Sequence, residues 1–94
     1  HVVVKIPEQK TDGHYQLKGW GRDLEIGGMV ELHNNWPERG ESIHFSVSDS
    51  VWSFYTADSL LFCPAGQPMT LMMASGGYAP SAMLVDQIEI VKID

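Results

Sequence analysis

The sequence has a single cysteine, and this scarcity excludes an internal disulfide and any metal site built from several cysteines. Cys63 stands between Phe62 and Pro64, in apolar company. Such surroundings are typical of a buried structural thiol, whereas reactive thiols lie beside cationic groups. We therefore predict that Cys63 is buried and structural.

Basic residues are also scarce. The 94 residues include 6 Lys and Arg against 12 Asp and Glu, which gives a net charge of −6. Nucleic-acid binding needs clustered cations to neutralise phosphates, so this balance argues against a nucleic-acid partner. No apolar run approaches the ~20 residues of a transmembrane helix, and we expect no insertion into a membrane. The chain opens without an initiating Met, which favours a processed or excised segment.

Helix signals are missing, and turn signals take their place. Gly, Pro, Asn, Asp and Ser recur every ~8–12 residues, a spacing typical of all-β sandwiches and barrels. The chain is too short for two independent cores, so we predict one β-sandwich domain over residues 1–94. The predicted strands are residues 2–6, 14–22, 29–34, 42–47, 51–56, 59–62, 69–74 and 82–93.

The alternation of apolar and polar residues also assigns strand faces. In the second strand we expect Tyr15 and Leu17 to face the core and Trp20 to face outward. The polar neighbours that we expect on the face of Trp20 are Gln16, Lys18 and Arg22, with Glu31 and His33 from the next strand.

Two further expectations concern apolar segments. Residues 2–6 are nearly all apolar, so we expect this strand to be covered on both sides or to lie in a groove. In the fifth strand Trp52 and Phe54 lie on the opposite face from Ser53 and Tyr55, and we assign Trp52 to the core.

Four segments carry a resemblance to a known family. Residues 15–22 have the order Tyr, apolar, Trp, basic; residues 51–56 centre on a Trp; residues 61–66 add a strand and a turn; and residues 84–90 place an Asp after two apolar residues. In this order they resemble the jelly-roll carbohydrate-binding modules with a galactose-binding-domain-like β-sandwich. The resemblance implies an antiparallel two-sheet jelly roll of about 7–8 strands. It also implies non-catalytic binding of a polysaccharide or glycan, outside the cell or at its surface.

The chain departs from the family pattern at its start. Such modules begin with an additional strand that carries a Glu, and no match to it precedes residues 2–6. The family's structural calcium uses that region together with an Asp of the closing strand, here Asp86. Calcium needs about six to eight oxygen ligands, so Asp86 alone does not hold it. We predict no cofactor, with Asp86 as the candidate ligand if a structural calcium is bound.

Sugar binding suggests a set of candidate residues, because sugar rings stack on aromatic planes and polar side chains bond their hydroxyls. The stacking candidates are Trp20 and the loop aromatics Trp36 and Tyr78. The hydrogen-bonding candidates are Gln16, Arg22, His33 and Asn34. The plainer alternative for Trp20 is that it covers a sheet edge.

A second function stays open beside glycan binding. A sandwich without its first strand leaves an unpaired edge, and residues 2–6 are suited to donating or accepting a strand. The alternative is therefore a structural subunit of an extracellular filament or assembly, a homo-oligomer formed by strand exchange through the N-terminal strand. A glycosidase is not favoured, since Glu31 and Glu41 are expected to be solvated strand residues. We predict that the protein is not an enzyme.

Overall fold

The protein is an all-β sandwich of two antiparallel sheets, seen in a computed structural model that describes residues 2–24, 27–75 and 83–94. The eight strands are β1 (Val2–Ile6), β2 (Gly13–Asp23), β3 (Gly28–His33), β4 (Ser42–Val47), β5 (Ser53–Thr56), β6 (Leu61–Cys63), β7 (Met69–Ser75) and β8 (Met83–Lys92). The predicted fold class is confirmed, and each predicted strand is present with its ends moved by at most two residues. Within the described ranges no helix is long and apolar enough to span a membrane.

The first sheet has the strand order β1-β7-β3-β4. Its middle strands carry apolar side chains at aligned positions, so that Leu71 of β7 lies opposite Leu32 of β3, and Leu32 lies opposite Ile43 of β4. Residues directly opposite one another share a face of the sheet. All three side chains are buried, and they form the side of the core that belongs to the first sheet.

The second sheet is organised around β2. β8 pairs along one edge of β2, from the Tyr15–Lys92 pair to the Asp23–Met83 pair. β5 and β6 lie end to end along the other edge, at residues 18–21 and 13–15 of β2. Every strand of this sheet therefore takes its register from β2.

The core lies between the two sheets, and the predicted inward face of β2 is confirmed. Tyr15 and Leu17 of β2 are buried, as are Val30 and Leu32 of β3. Cys63 is buried as predicted, and its thiol donates a hydrogen bond to the Gln67 carbonyl at 3.2 Å. Burial raises the pKa of the Cys63 thiol, which keeps it in the unreactive protonated form.

The assignment of Trp52 to the core is wrong. Trp52 is 46% exposed and Phe54 is 51% exposed. β5 pairs with β2 in a register that sets Phe54 directly opposite Trp20, on the outer face of the sheet. The inward aromatic residue of β5 is Tyr55, whose ring stacks on Phe45 with centroids 5.6 Å apart and planes 3° apart. Both faces of β5 carry aromatic residues, so alternation alone does not tell which face turns inward.

The expectation that the first strand is covered on both sides is also wrong for the single chain. Among the described residues β1 pairs with β7 alone, so it forms one edge of its sheet. Val2 and Val4 lie opposite Met73 and Leu71, on the side of the core, yet they are 54% and 41% exposed. The inward side of β1 is therefore open to solvent.

Candidate ligand-binding site

An aromatic row crosses the outer face of the second sheet. Phe54 of β5, Trp20 of β2 and Asp86 of β8 lie directly opposite one another on neighbouring strands. The rings of Trp20 and Phe54 are tilted by 59°, with centroids 5.6 Å apart. Trp20 is 40% exposed. Two aromatic surfaces and a carboxylate therefore face the solvent together.

An open cleft of about 260 Å³ lies beside this row, and we call it the Trp20 cleft. It is lined by Trp20, Trp52, Asp86 and Gln87. Small-molecule sites combine apolar and aromatic walls with a few polar groups that fix the orientation of the ligand, and they usually start at about 300 Å³. The Trp20 cleft has this composition at the small end of the size range, which suits a single ring.

A β-bulge in β8 shapes the polar side of the Trp20 cleft. The pairing register shifts so that two residues of β8, Gln87 and Ile88, lie opposite the single residue Gly19 of β2. Such bulges kink one strand and turn a side chain in a new direction, and they are frequent beside functional sites.

Gln87 carries the unusual backbone of the bulge. Its φ is 51°, in the left-handed region that residues with a side chain seldom occupy. Its N–H donates a hydrogen bond to Asp86 Oδ1 at 2.8 Å, which holds the carboxylate in place. An ionised carboxylate has about four acceptor positions, and this bond uses one of them. Asp86 therefore keeps capacity to accept hydrogen bonds from a ligand.

Other polar groups follow the same outer face of β2. Gln16, Lys18 and Arg22 alternate with the buried residues of this strand, as predicted. Lys18 Nζ lies 3.6 Å from Glu89 Oε2 on β8, a partly exposed ion pair. Arg22 is exposed at the next outward position after Trp20.

The prediction that Glu31 and His33 share the face of Trp20 is wrong. β3 belongs to the first sheet, on the other side of the core, because the chain crosses between the sheets after β2 instead of forming a hairpin. Gly27 permits this crossing: its φ is 87°, and a Cβ there would come within 2.5 Å of the Val47 carbonyl oxygen.

The end of β3 and the turn to β4 hold three predicted site residues, His33, Asn34 and Trp36, away from the Trp20 cleft. The rings of His33 and Trp36 meet edge to face, with centroids 6.0 Å apart. Asn34 is 8% exposed; its Nδ2 donates to the Phe62 carbonyl and its Oδ1 accepts from the Glu41 N–H, both at 2.9 Å. The amide of Asn34 thus ties the turn to the second sheet. Tyr78 lies outside the described residues.

Asp86 is also the candidate ligand for a structural calcium. Asp86 lines the Trp20 cleft, and the described part of the chain holds no group of three or more His, Cys, Asp or Glu side chains arranged to bind a metal ion. The role of Asp86 as a calcium ligand stays a candidate.

Comparisons of the chain with protein-family models, curated proteins and solved structures found no match.

Proposed function

We propose that the protein is a non-catalytic carbohydrate-binding β-sandwich module and that the Trp20 cleft binds the glycan. The observation that carries the proposal is the meeting of two exposed indole rings with a carboxylate and an amide in one open cleft. Indole planes accept the C–H faces of sugar rings, while Asp86 and Gln87 supply acceptors and a donor for the hydroxyls. The proposal includes action outside the cell or at its surface.

The electrostatics of the cleft favour a neutral sugar. Asp86 is the carboxylate that lines the cleft, and the whole chain has a net charge of −6. An acidic sugar or a phosphate would be repelled by both. A hydroxyl group, by contrast, donates a hydrogen bond to a carboxylate without bringing a second negative charge.

The acid composition of the cleft supports binding over hydrolysis. Glycosidases use two carboxyl groups about 5–10 Å apart on either side of the scissile bond. Among the described residues the Trp20 cleft is lined by one carboxylate, that of Asp86. A single carboxylate suits the orientation of a bound sugar.

A glycan array followed by titration calorimetry tests the proposal. We expect at least one neutral glycan to bind, and Trp20→Ala and Trp52→Ala each to weaken binding about tenfold or more, since each removes a stacking surface. Trp36→Ala is the matched control, because Trp36 is equally exposed but lies at the turn between β3 and β4. Unchanged binding by both cleft variants, with intact circular dichroism spectra, would refute the site. Loss of binding in Trp36→Ala alone would move it to that turn.

The second candidate, a filament subunit completed by strand exchange, is favoured by the uncovered side of β1. Val2 and Val4 present apolar surface toward the core side of an edge strand. A strand from a neighbouring copy would cover both residues and pair with the open edge. Light scattering over a wide concentration range tests this: oligomers should form and should be lost in Val4→Lys, while Val3→Lys, on the outer face, retains more association. A monomer at every concentration would remove this candidate.

A further inference from the structure

We propose that the second sheet carries a second sugar subsite at the opposite end of β2, and that the ligand is an extended neutral glycan chain that spans both subsites. This inference rests on the proposed function of the Trp20 cleft and names the form of its ligand. It starts from a second open cleft of about 240 Å³, which we call the His14 cleft. The His14 cleft is lined by Asp12, Gly13, His14, Phe62 and Asp94.

The His14 cleft repeats the arrangement at the Trp20 cleft. His14 and Phe62 lie opposite each other on β2 and β6, as Trp20 and Phe54 do on β2 and β5. Their rings are tilted by 51° with centroids 5.3 Å apart. Each end of β2 therefore presents an exposed aromatic pair on the same face of the sheet, with a carboxylate close by.

Asp94 fixes the ring of His14. The carboxylate of Asp94 accepts the His14 backbone N–H at 2.7 Å on one oxygen, and the His14 Nδ1 lies 2.8 Å from the other. These hydrogen bonds from His14 lower the pKa of Asp94, so the carboxylate is ionised and acts as the acceptor. In the neutral imidazole the hydrogen is then on Nδ1, and Nε2 is left to accept a hydrogen bond. A sugar hydroxyl is a suitable donor for it.

The distance between the two clefts sets the size of the ligand. His14 and Trp20 lie six positions apart on the same face of β2, which corresponds to ~20 Å at ~3.4 Å per residue. A single sugar ring fills one cleft and does not reach the other. A linear chain of several sugar units covers the whole distance.

The surface between the clefts suits the middle of such a chain. Gln16 and Lys18 face outward between His14 and Trp20, and the exposed Thr56 lies opposite Lys18. The charge of Lys18 is balanced by Glu89, and each end holds both signs of charge, with Asp86 diagonal to Arg22 and Asp94 near Lys92. Balanced charges and hydrogen-bonding groups along the whole path fit a neutral polysaccharide better than a polyanion or an apolar peptide.

The test is a series of neutral gluco-, manno- and galacto-oligosaccharides, from one to about eight units, measured by titration calorimetry. We expect the affinity to rise with length until the chain spans ~20 Å and then to level off. His14→Ala and Phe62→Ala should weaken the binding of the long oligosaccharides about tenfold and leave that of the shortest ones unchanged. Trp20→Ala should weaken the binding of all of them. His44→Ala, an exposed histidine on β4 of the other sheet, is the matched control.

Other results would contradict either the extended ligand or the proposed function, and they can be told apart. If affinity does not depend on length beyond a disaccharide, or the His14 cleft variants bind long chains as the wild type does, the extended ligand is wrong while the Trp20 cleft stands. If no neutral glycan binds, the proposed function fails and the inference fails with it. Binding of an oligo-lysine peptide in place of the glycans would show that the carboxylates of the two clefts serve a basic partner, and this also overturns the inference.

Discussion

Gly19 and Ile88 lie against each other at the bulge of β8, where a Cβ on Gly19 would come within 2.6 Å of Ile88 Cδ1 and 3.3 Å of Ile88 Cα. A glycine allows β8 to approach β2 this closely, since the Cβ of any other residue would collide with Ile88 of β8. The approach matters for the site, because the bulge that begins at Gln87 sets the polar side of the Trp20 cleft.

Gly19→Ala should lower the free energy of unfolding by about 1–3 kcal/mol, as expected for overpacking in a close contact. Ile88→Val removes the Cδ1 atom that the new methyl group would meet. The double variant should therefore be more stable than the sum of the two single changes predicts, by at least ~0.5 kcal/mol. Urea denaturation of the four proteins in this double-mutant cycle measures the coupling. Strict additivity would show that the contact between Gly19 and Ile88 does not limit the packing.

Gln87 allows stability and binding to be separated. Gln87→Gly should raise the free energy of unfolding by roughly 0.5–1 kcal/mol, because glycine adopts a φ of 51° without steric cost. The same change should weaken glycan binding, since it removes an amide from the Trp20 cleft. Gln87→Asn is the matched variant: it retains an amide and tolerates the left-handed region. Thermal unfolding and calorimetry on both variants decide this, and a loss of stability in Gln87→Gly would contradict it.

Asn34 is expected to act on the fold and not on the ligand. Asn34→Ala leaves the Phe62 carbonyl and the Glu41 N–H without their partner, which should lower the free energy of unfolding by about 1–3 kcal/mol. Glycan binding at the Trp20 cleft should persist. Asn35→Ala is the control, since Asn35 is exposed and its Nδ2 donates to the Arg39 carbonyl alone. An Asn34→Ala protein of normal stability that no longer binds glycan would restore the ligand role that the sequence predicts for this residue.

Removing a tyrosine hydroxyl should affect stability differently at Tyr15 and at Tyr55. Among the described residues the buried hydroxyl of Tyr15 has no hydrogen-bond partner, and burial is the main cause that raises the pKa of Tyr15. Tyr15→Phe should therefore be neutral or stabilising by up to ~1 kcal/mol. Tyr55→Phe should cost about 1 kcal/mol, because its hydroxyl accepts hydrogen bonds from the N–H groups of Ser48 and Asp49 at 3.3 and 3.1 Å. Equal losses in the two variants, measured by chemical denaturation, would indicate a partner for Tyr15 Oη.

Most of the fold can be predicted from local signals in the sequence. Turn residues at short intervals divide the chain, and alternation defines the strands between them. The same alternation identifies the outward face of β2, with Gln16, Trp20 and Arg22, because the buried positions between them are occupied by Tyr15, Leu17 and two glycines. These signals come from neighbouring residues in the sequence, so they can be read without knowing which strands pair.

The site depends on which strands pair and in which register, and local sequence signals do not reveal this pairing. The sequence does not show that β3 crosses into the other sheet, which separates His33 from Trp20. Trp52 and Phe54 look as apolar as Tyr55, and their exposure follows only from the register of β5 on β2. The position of Gln87 depends on a bulge opposite Gly19. Gly19, next to Trp20 in the sequence, is a feature that marks the close approach of strands here.

The central place of β2 has a consequence for motion. β5, β6 and β8 each pair with β2, so β2 cannot open without breaking the hydrogen bonds of the whole second sheet. Amide hydrogens of β2 should therefore exchange with solvent last in this sheet, whereas those of β5, β6 and β8, and of β1 in the other sheet, each held by a single neighbour among the described strands, should exchange earlier.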